Sequence, residues 1–281
     1  MAAGAAGPLR PAFAQGAAGR VVVIGGGFAG ATCARTLKRL DPRLFVTLVE
    51  PNTTYTACPF SNEVIAGLRD LRDQEFTYDK LAGNGIELAR LAVTGIDPQA
   101  RAVMMSEGTR VSYDRLVLAP GIDLRWDALP GYGEAAAERM PHAWKAGTQT
   151  DLLSRQLAAM EDGGLVVIAA PANPYRCPPG PYERASLIAH YLKTQKPRSK
   201  VIVLDAKDNF SKQKLFQEAW QQLYPGLLEW VPLSSGGKVT SVDPTALTLA
   251  TDFQTYKPAV ANVIPPQKAA AIADWYAGQK P

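Results

Sequence analysis

Apolar runs and amphipathic stretches alternate near the start of the chain. The run Arg20–Ile24 is almost wholly apolar and predicts a short buried strand. A glycine-rich turn follows, then a stretch with helical spacing that ends before Pro42, and residues 44–50 (LFVTLVE) predict the next strand. A strand, a helix and a second strand in this order make a βαβ unit, whose two strands lie parallel.

The same alternation returns in the second half of the chain. Residues 149–160 have helical spacing, two glycines interrupt it, and residues 165–171 (LVVIAAP) predict a buried strand. The helix ERASLIAHYLK and the strand VIVLDA at 201–206 complete a second βαβ unit. The pattern therefore predicts an α/β fold with two Rossmann-like dinucleotide-binding folds in series.

The stretch between the two units adds a further strand. Residues 86–105 contain short alternating runs that predict a small antiparallel insertion. Residues 113–121 (YDRLVLAPG) then predict a strand that ends in a Pro-Gly turn. In flavoproteins with two dinucleotide-binding folds, the chain passes back over FAD through a strand and turn of this kind. We expect a leader at 1–19, an FAD-binding domain at 20–148 and a second Rossmann-like domain at 149–281.

The first turn carries the spacing Gly25-x-Gly27-x-x-Gly30. The first glycine permits the tight turn, the second lets a phosphate approach the backbone, and the third lets helix and strand pack closely. The pyrophosphate then lies on the helix N-terminus. Glu50 ends the second strand, twenty residues past Gly30, where a carboxylate can accept both ribose hydroxyls. An acid there predicts FAD or NAD rather than NADP, and the later Pro-Gly turn favours FAD.

The second turn lacks this glycine spacing and carries Cys177 among prolines. Pro178, Pro179 and Pro181 have no backbone N–H that could hold a phosphate, so we expect no nicotinamide pocket. The helix N-terminus and the neighbouring Arg176 predict a lowered pKa and a reactive thiolate at Cys177. The alternative is a rigid loop in which the cysteine only fills space.

Glu183 is a candidate for acid–base chemistry, and the two histidines are not. Glu183 stands in the first turn of the following helix, where it could accept a proton near the same crevice or simply stabilise the helix N-terminus. His142 and His190 have no partners in a recognisable spacing, and we assign catalysis to neither. His190 lies on a predicted helix, and we expect it to be structural or on the surface. Because the sequence also lacks C-x-x-C and C-x-x-C-H motifs, it predicts neither a metal site nor an attached haem.

The two other cysteines lie in different settings. Cys58 follows Glu50 by eight residues, in a polar, turn-like segment. It is either a buried small hydrophobic side chain or a thiolate that attacks the ring methyl of an isoalloxazine and forms a thioether. Cys33 lies in the first predicted helix, and we assign it to packing.

The composition of the chain is that of a globular protein and does not favour nucleic-acid binding. The chain has 281 residues, of which 47% are hydrophobic and 20% charged, as in an ordinary globular protein. Its net charge of +4 is mild and no run of like charges occurs, so nucleic-acid binding is not supported. No stretch approaches the ~18 apolar residues of a transmembrane helix. Ala12-Phe13-Ala14 resembles a signal-peptidase site, and we interpret the leader as the end of an export signal, the alternative being a leader without fixed structure.

Five segments together resemble the flavoprotein subunit of flavocytochrome c sulfide dehydrogenase. They are GRVVVIGGGFAGAT, VTLVEPNTTYTACPFSNEVI, YDRLVLAPGI, PHAWKAGTQT and APANPYRCPPGPYERAS, and the likeness extends over residues 20–272. The resemblance implies that Cys58 is bonded through sulfur to the 8α position of FAD. It also implies that Cys177 is one half of a redox-active disulfide beside the flavin, with Glu183 as a candidate acid–base residue.

The same resemblance implies an activity. Sulfide attacks the disulfide, and the electrons pass to the flavin and then singly to a c-type cytochrome subunit, which carries the haem in a periplasmic heterodimer. The residues implied to contact FAD are Gly25, Gly27, Gly30, Glu50, Pro51, Asn52, Cys58, Val93, Ala119, Pro120 and Gly121.

The sequence departs from the family in its last part. A Gly-Asp motif and the second redox cysteine, which the family has further along its chain, are both absent here. We therefore expect a chain that is C-terminally truncated relative to the family. Two alternatives stay open: a sulfide:quinone oxidoreductase, which would need a membrane-associating segment, and a non-catalytic remnant that binds FAD or the cytochrome.

Overall fold

The computed structural model describes residues 19–278. The predicted export site at residues 12–14 therefore lies outside the described residues. Within them the chain forms two compact units, one of residues 19–53 and 78–119, the other of residues 54–77 and 120–278. This division differs from the predicted domain boundary between residues 148 and 149. The predicted domain boundary stays a prediction.

The described residues contain strands and helices throughout. The strands are β1 (Arg20–Ile24), β2 (Phe45–Val49), β3 (Thr54–Thr56), β4 (Glu75–Thr77), β5 (Glu87–Ala89), β6 (Val93–Asp97), β7 (Ala102–Met105), β8 (Arg110–Ser112), β9 (Arg115–Leu118), β10 (Ile122–Leu124), β11 (Leu165–Ala170), β12 (Lys200–Asp205), β13 (Leu228–Val231), β14 (Val239–Asp243), β15 (Thr248–Thr251), β16 (Thr255–Tyr256), β17 (Val260–Val263) and β18 (Gln267–Ala269). The α-helices are α1 (Phe28–Leu40), α2 (Ser61–Ile65), α3 (Asp79–Gly83), α4 (Glu134–Ala137), α5 (Thr148–Ala159), α6 (Gly180–Gln195), α7 (Gln213–Leu223) and α8 (Ala271–Gly278).

The first unit is built on a parallel sheet in the order β5-β2-β1-β9. The inner strand β1 is apolar on both faces, and its residues Val22 and Val23 are almost fully buried. The predicted insertion at 86–105 is wrong in one respect, because β5 pairs with β2 in the parallel sheet. Thr47 Oγ1 donates to Glu87 Oε2 at 2.8 Å across this pair. The antiparallel part is the three-stranded sheet β6-β7-β8, which continues to Ser112.

The second unit has its own parallel sheet, in the order β13-β12-β11-β17. Strand β11 and helix α6 share one apolar core, in which Ile168, Ile188 and Leu192 are fully buried. The short helix α2 packs against α5 and α6. The described part of the chain contains no helix long and apolar enough to cross a membrane.

Candidate functional site

The glycine turn between β1 and α1 is closed so tightly that side chains cannot enter it. Gly25 has a φ of 98°, a conformation that favours glycine. A Cβ on Gly30 would lie 1.8 Å from the Gly25 carbonyl oxygen. Gly27 is the N-cap of α1, and no side chain caps this helix terminus. The turn therefore has the backbone form that a pyrophosphate needs.

Glu50 is fixed beside this turn by hydrogen bonds. Its Oε2 accepts from the Gly26 backbone N–H at 2.9 Å. Its Oε1 accepts from the backbone N–H of Asn52 at 3.0 Å and from the Asn52 side-chain amide at 2.7 Å. The structure thus brings the predicted residues Gly25, Gly27, Gly30, Glu50 and Asn52 together, with the exposed Pro51 between the last two.

The other predicted flavin contacts lie further along the chain. Val93 is the first residue of β6 and pairs with Met105 in the three-stranded sheet. Ala119 follows β9, and its N–H donates to the Ile24 carbonyl at 2.8 Å. Pro120 and Gly121 fall in the second unit, and Gly121 has a φ of 80°, as a Pro-Gly turn requires. Contact of these residues with a flavin stays a prediction.

Cys58 lies in the second unit, in the short connection between β3 and α2. The residue is partly exposed and forms no disulfide within the described chain, and its predicted bond to a flavin stays a prediction. The Cys58 carbonyl accepts from the Ser61 N–H at 3.1 Å. The segment 54–77 also contains Ser61 and Gln74. The Ser61 Oγ and both polar side-chain atoms of Gln74 are buried, and none of them has a hydrogen-bond partner within the described chain. This segment therefore presents a free thiol together with polar groups that a ligand or water can satisfy.

Cys177 is in the same unit, at the N-terminal end of α6. The residue is exposed and has a φ of 59°, which is strained for a side chain other than glycine. A Cβ on Gly180 would lie 2.7 Å from Cη2 of the Trp144 ring and 3.3 Å from the Cys177 sulfur, so a larger residue there would have to displace the ring and crowd the thiol.

The predicted lowering of the Cys177 pKa is wrong. The pKa of this thiol is raised, first by desolvation among its neighbours and then by the negative charges of Glu183 and Cys58. The Gly180 N–H and Arg176 lower the pKa of Cys177 by less. The Arg176 guanidinium donates to the Trp144 carbonyl.

Glu183 is held by a network of residues that the sequence did not single out. Asn62 Nδ2 donates to Glu183 Oε2 at 2.7 Å, and Arg184 Nε donates to Asn62 Oδ1 at 2.9 Å. Arg184 is 3% exposed. One signal was available, because Arg184, Ile188 and Leu192 recur every four residues and so share one buried face of α6.

His142 joins this network only through its backbone carbonyl, within the described chain, and neither imidazole contacts Glu183. His142 is buried, its Nδ1 accepts from the Trp144 N–H at 2.9 Å, and its pKa is lowered to about 4 by burial and by the charges of Arg184 and Lys145. His190 is exposed on α6. Within residues 19–278 there is no cluster of three or more side chains that could ligate a metal.

Asp205 ends β12, where a second dinucleotide fold would place its ribose acid. Its carboxylate is fully buried. Oδ2 accepts from the Tyr182 hydroxyl at 2.6 Å and from Trp230 Nε1 at 2.9 Å, and Oδ1 accepts from Lys207 Nζ. Both oxygens of the Asp205 carboxylate thus accept hydrogen bonds from side chains of the protein, and the carboxylate is not exposed to bind the ribose of a nicotinamide cofactor. This agrees with the prediction that the second fold has no nicotinamide pocket.

Two family models match the chain. The one described as pyridine nucleotide-disulphide oxidoreductase matches residues 19–168, more than half of the chain. The one described as the central part of the sulfide dehydrogenase (flavocytochrome c) flavoprotein chain matches residues 150–265. The resemblance predicted from the sequence motifs is thereby confirmed.

Individual relatives point the same way. The flavoprotein chain of sulfide dehydrogenase (flavocytochrome c) from Chlorobaculum thiosulfatiphilum is 62% identical over 45 residues, which are 16% of this chain and 94% of that sequence. The sulfide-quinone reductase of Aquifex aeolicus is 31% identical over 182 residues, covering 64% of this chain. This chain spans only 41% of that reductase.

The fold is shared with solved structures. The X-ray structure of the sulfide:quinone oxidoreductase from Aquifex aeolicus superposes with a TM-score of 0.74 at 21% sequence identity. The match covers 92% of this chain and 61% of that one. It confirms the predicted α/β architecture with two dinucleotide-type folds.

Proposed function

The chain belongs to the pyridine nucleotide-disulphide oxidoreductase family, and we propose that it is the FAD-carrying part of a protein that oxidises sulfide and passes the electrons to a c-type cytochrome subunit. The grouping of Cys58, Cys177 and Glu183 within the second unit carries this proposal. Glu183 and Cys58 are both near enough to the Cys177 thiol to raise its pKa. Cys177 supplies a sulfur and Glu183 a carboxylate for sulfide oxidation next to a flavin, and Cys58 supplies the sulfur for the proposed bond to that flavin.

The residues present fit FAD. In the first unit the uncapped N-terminus of α1 and the cradle at Gly30 suit a pyrophosphate, and Glu50 suits the adenine ribose. In the second unit the unbonded, partly exposed Cys58 thiol is the proposed covalent link. When bound, FAD accepts an electron pair and can release electrons one at a time to a haem.

Cys177 is proposed to act as one half of a disulfide in the whole protein. Hydrosulfide attacks the Cys177 sulfur, a new S–S bond forms a persulfide on Cys177, and the partner sulfur leaves as a thiolate with the electron pair of the broken bond. Cys33, Cys58 and Cys177 are all unbonded, and Cys58 is assigned to the flavin. The second sulfur is therefore proposed to come from a residue of the whole protein other than these three.

Glu183 is proposed to accept the proton that hydrogen sulfide loses before this attack. Asn62 occupies its Oε2, and within the described chain no hydrogen bond reaches its Oε1. Glu183 is also exposed, so a proton accepted there can pass to solvent.

A second candidate function differs in the electron acceptor. The sulfide-quinone reductase of Aquifex aeolicus and the solved sulfide:quinone oxidoreductase both resemble this chain. Their names give a quinone in place of the cytochrome. We favour the cytochrome because the match of the central residues 150–265 is to the flavocytochrome c flavoprotein. A periplasmic location is proposed together with the cytochrome partner.

The acceptor can be tested by mixing the purified protein with sulfide and either oxidised cytochrome c or a soluble ubiquinone analogue. We expect reduction of cytochrome c that is lost in Cys177→Ser and retained in Cys33→Ser. Reduction of the quinone alone would favour the second candidate. Bound flavin without either activity would identify a non-catalytic remnant.

The cofactor can be tested by mass spectrometry of the peptide that contains Cys58. We expect the peptide to carry the mass of FAD, and the denatured protein to stay yellow. Cys58→Ser should lose the adduct and Cys33→Ser should keep it. A colourless denatured protein would contradict the covalent link.

A further inference from the structure

Arg184 is a buried cation whose direct partners are all uncharged. Its guanidinium donates to Asn62 Oδ1 at 2.9 Å, Asn262 Oδ1 at 2.8 Å, the His142 carbonyl at 3.1 Å and the Ala143 carbonyl at 2.6 Å. Burial lowers the pKa of Arg184 to about 9, so that it stays protonated at neutral pH. Four hydrogen bonds fix the position of this buried guanidinium, so the groups that bond to it are fixed as well.

This arginine determines how the Asn62 amide is oriented. A guanidinium has only donors, so the amide oxygen of Asn62 must face it. The amide nitrogen then points the other way, to Glu183 Oε2 at 2.7 Å and to the Gly180 carbonyl at 3.4 Å. Because that nitrogen can only donate, Glu183 Oε2 has to be an acceptor.

The same contacts lead to the redox cysteine. Gly180, which Asn62 also contacts, is the residue whose Cβ position lies 3.3 Å from the Cys177 sulfur. Asn62 itself follows Cys58 by four residues in the chain. A single amide therefore links the segment of one functional cysteine to the acid beside the other.

We propose that Asn62 is a positioning residue that holds the Glu183 carboxylate beside the Cys177 thiol, in an orientation that Arg184 fixes. Within the proposed function, on which this inference rests, Asn62 keeps Oε2 occupied and leaves Oε1 to take the proton of the sulfur substrate. Loss of Asn62 lets the exposed Glu183 side chain turn toward solvent and away from the thiol.

The test is the pH dependence of Cys177 alkylation by iodoacetamide, read on the Cys177 peptide by mass spectrometry after mild reduction. The titratable groups acting on this thiol are Tyr175, Arg176, Glu183 and Arg184, with Cys58 as a fifth wherever it carries no flavin. Asn62→Leu, which has a similar volume, removes the hydrogen bond to Glu183 and one of the four acceptors of Arg184, while the other three acceptors of Arg184 remain. We expect Asn62→Leu and Glu183→Gln each to speed alkylation at pH 7 by about threefold or more, since loss of a nearby negative charge lowers the thiol pKa.

The two changes should not add, because both remove the same charge from the same place. Asn62→Leu in the Glu183→Gln background is therefore expected to leave the alkylation profile unchanged. Ser154→Ala is the matched control: it removes the Ser154 Oγ donation to the Val64 carbonyl, which docks the same helix α2, without touching Glu183. Its profile should coincide with that of the wild type.

If Asn62→Leu does not fold, Asn62→Ser retains a polar group near Arg184 but is too short to reach Glu183. An alkylation profile unchanged in the folded Asn62 variant, or additive effects of the two substitutions, would overturn the proposal. Sulfide-dependent cytochrome reduction is measured separately. A shifted profile without that activity would reject the proposed function alone, and activity with an unshifted profile would reject only the role of Asn62.

Discussion

Lys196 Nζ lies 2.7 Å from the carbonyl oxygen of Leu157, at the C-terminal end of helix α5. It also donates to the Ala158 carbonyl at 2.7 Å and to the Met160 carbonyl. The last carbonyls of a helix have no partner within the helix. The buried ammonium therefore satisfies three acceptors at once and adds a positive charge at the negative end of the helix dipole.

Lys196→Met is expected to lower the free energy of unfolding by about 1–3 kcal/mol, because it leaves these carbonyls without a donor while nearly conserving volume. Urea denaturation followed by circular dichroism measures the change. Lys193→Met is the control, since the exposed Lys193 donates to the single carbonyl of Leu223 and lies over the Tyr224 ring at the surface. Equal losses in the two variants would contradict a special role for Lys196.

Asp205→Ala is expected to lower the free energy of unfolding by about 3–5 kcal/mol, because the buried Lys207 then loses its counter-charge. The double variant Asp205→Leu/Lys207→Met should recover part of this loss, since it removes both charges but leaves the Tyr182 hydroxyl and the Trp230 N–H without their acceptor. Asp151→Ala breaks an exposed pair with Arg155 and should cost less than about 1 kcal/mol. A double variant as unstable as Asp205→Ala would show that packing and the hydrogen bonds to Tyr182 and Trp230, rather than the charge pair, account for the loss.

The parts of the fold that local pattern determines were predictable from the sequence. The apolar run at Arg20–Ile24 and the glycine spacing after it correspond to β1 and its turn, because burial on both faces of a parallel strand selects such runs. The position of strand β5 could not be predicted in this way. It is three residues long, and its place beside β2 is set by pairing rather than by its own sequence.

The candidate site was predictable in its cysteines but not in its electrostatics. Cys177, its helix and Arg176 are adjacent in sequence, and this adjacency suggested a lowered pKa. The groups that raise the pKa of Cys177 include Cys58, which lies far away in the sequence. Asn62 and Glu183 are separated by 121 positions, and no local pattern encodes that contact.

Gly30→Ala is expected to abolish flavin binding, because its Cβ would lie 1.8 Å from the Gly25 carbonyl oxygen and would force α1 away from β1. The ratio of flavin to protein absorbance after purification measures the loss. Gly83→Ala is the control, because a Cβ there meets nothing within 4 Å. A normal flavin content in Gly30→Ala would mean that this turn does not hold the cofactor.

His142 should make the stability of the protein depend on pH. Its pKa is about 4 in the folded protein, lowered chiefly by burial, against 6.5 for an exposed histidine. Between these values the unfolded chain binds a proton that the folded one does not, so stability is complete above pH 6.5 and falls as the pH decreases. From pH 7 to pH 5 this amounts to about 2 kcal/mol.

His142→Asn is expected to remove most of this decrease, because the asparagine oxygen can replace Nδ1 as the acceptor of the Trp144 N–H and carries no charge at either pH. Urea unfolding at pH 7 and at pH 5 measures the difference for each variant. His190→Asn serves as the control, because His190 is exposed on α6, and it should retain the wild-type pH dependence. If His142→Asn retained the full decrease as well, the loss of stability in acid would have to come from groups other than this buried imidazole.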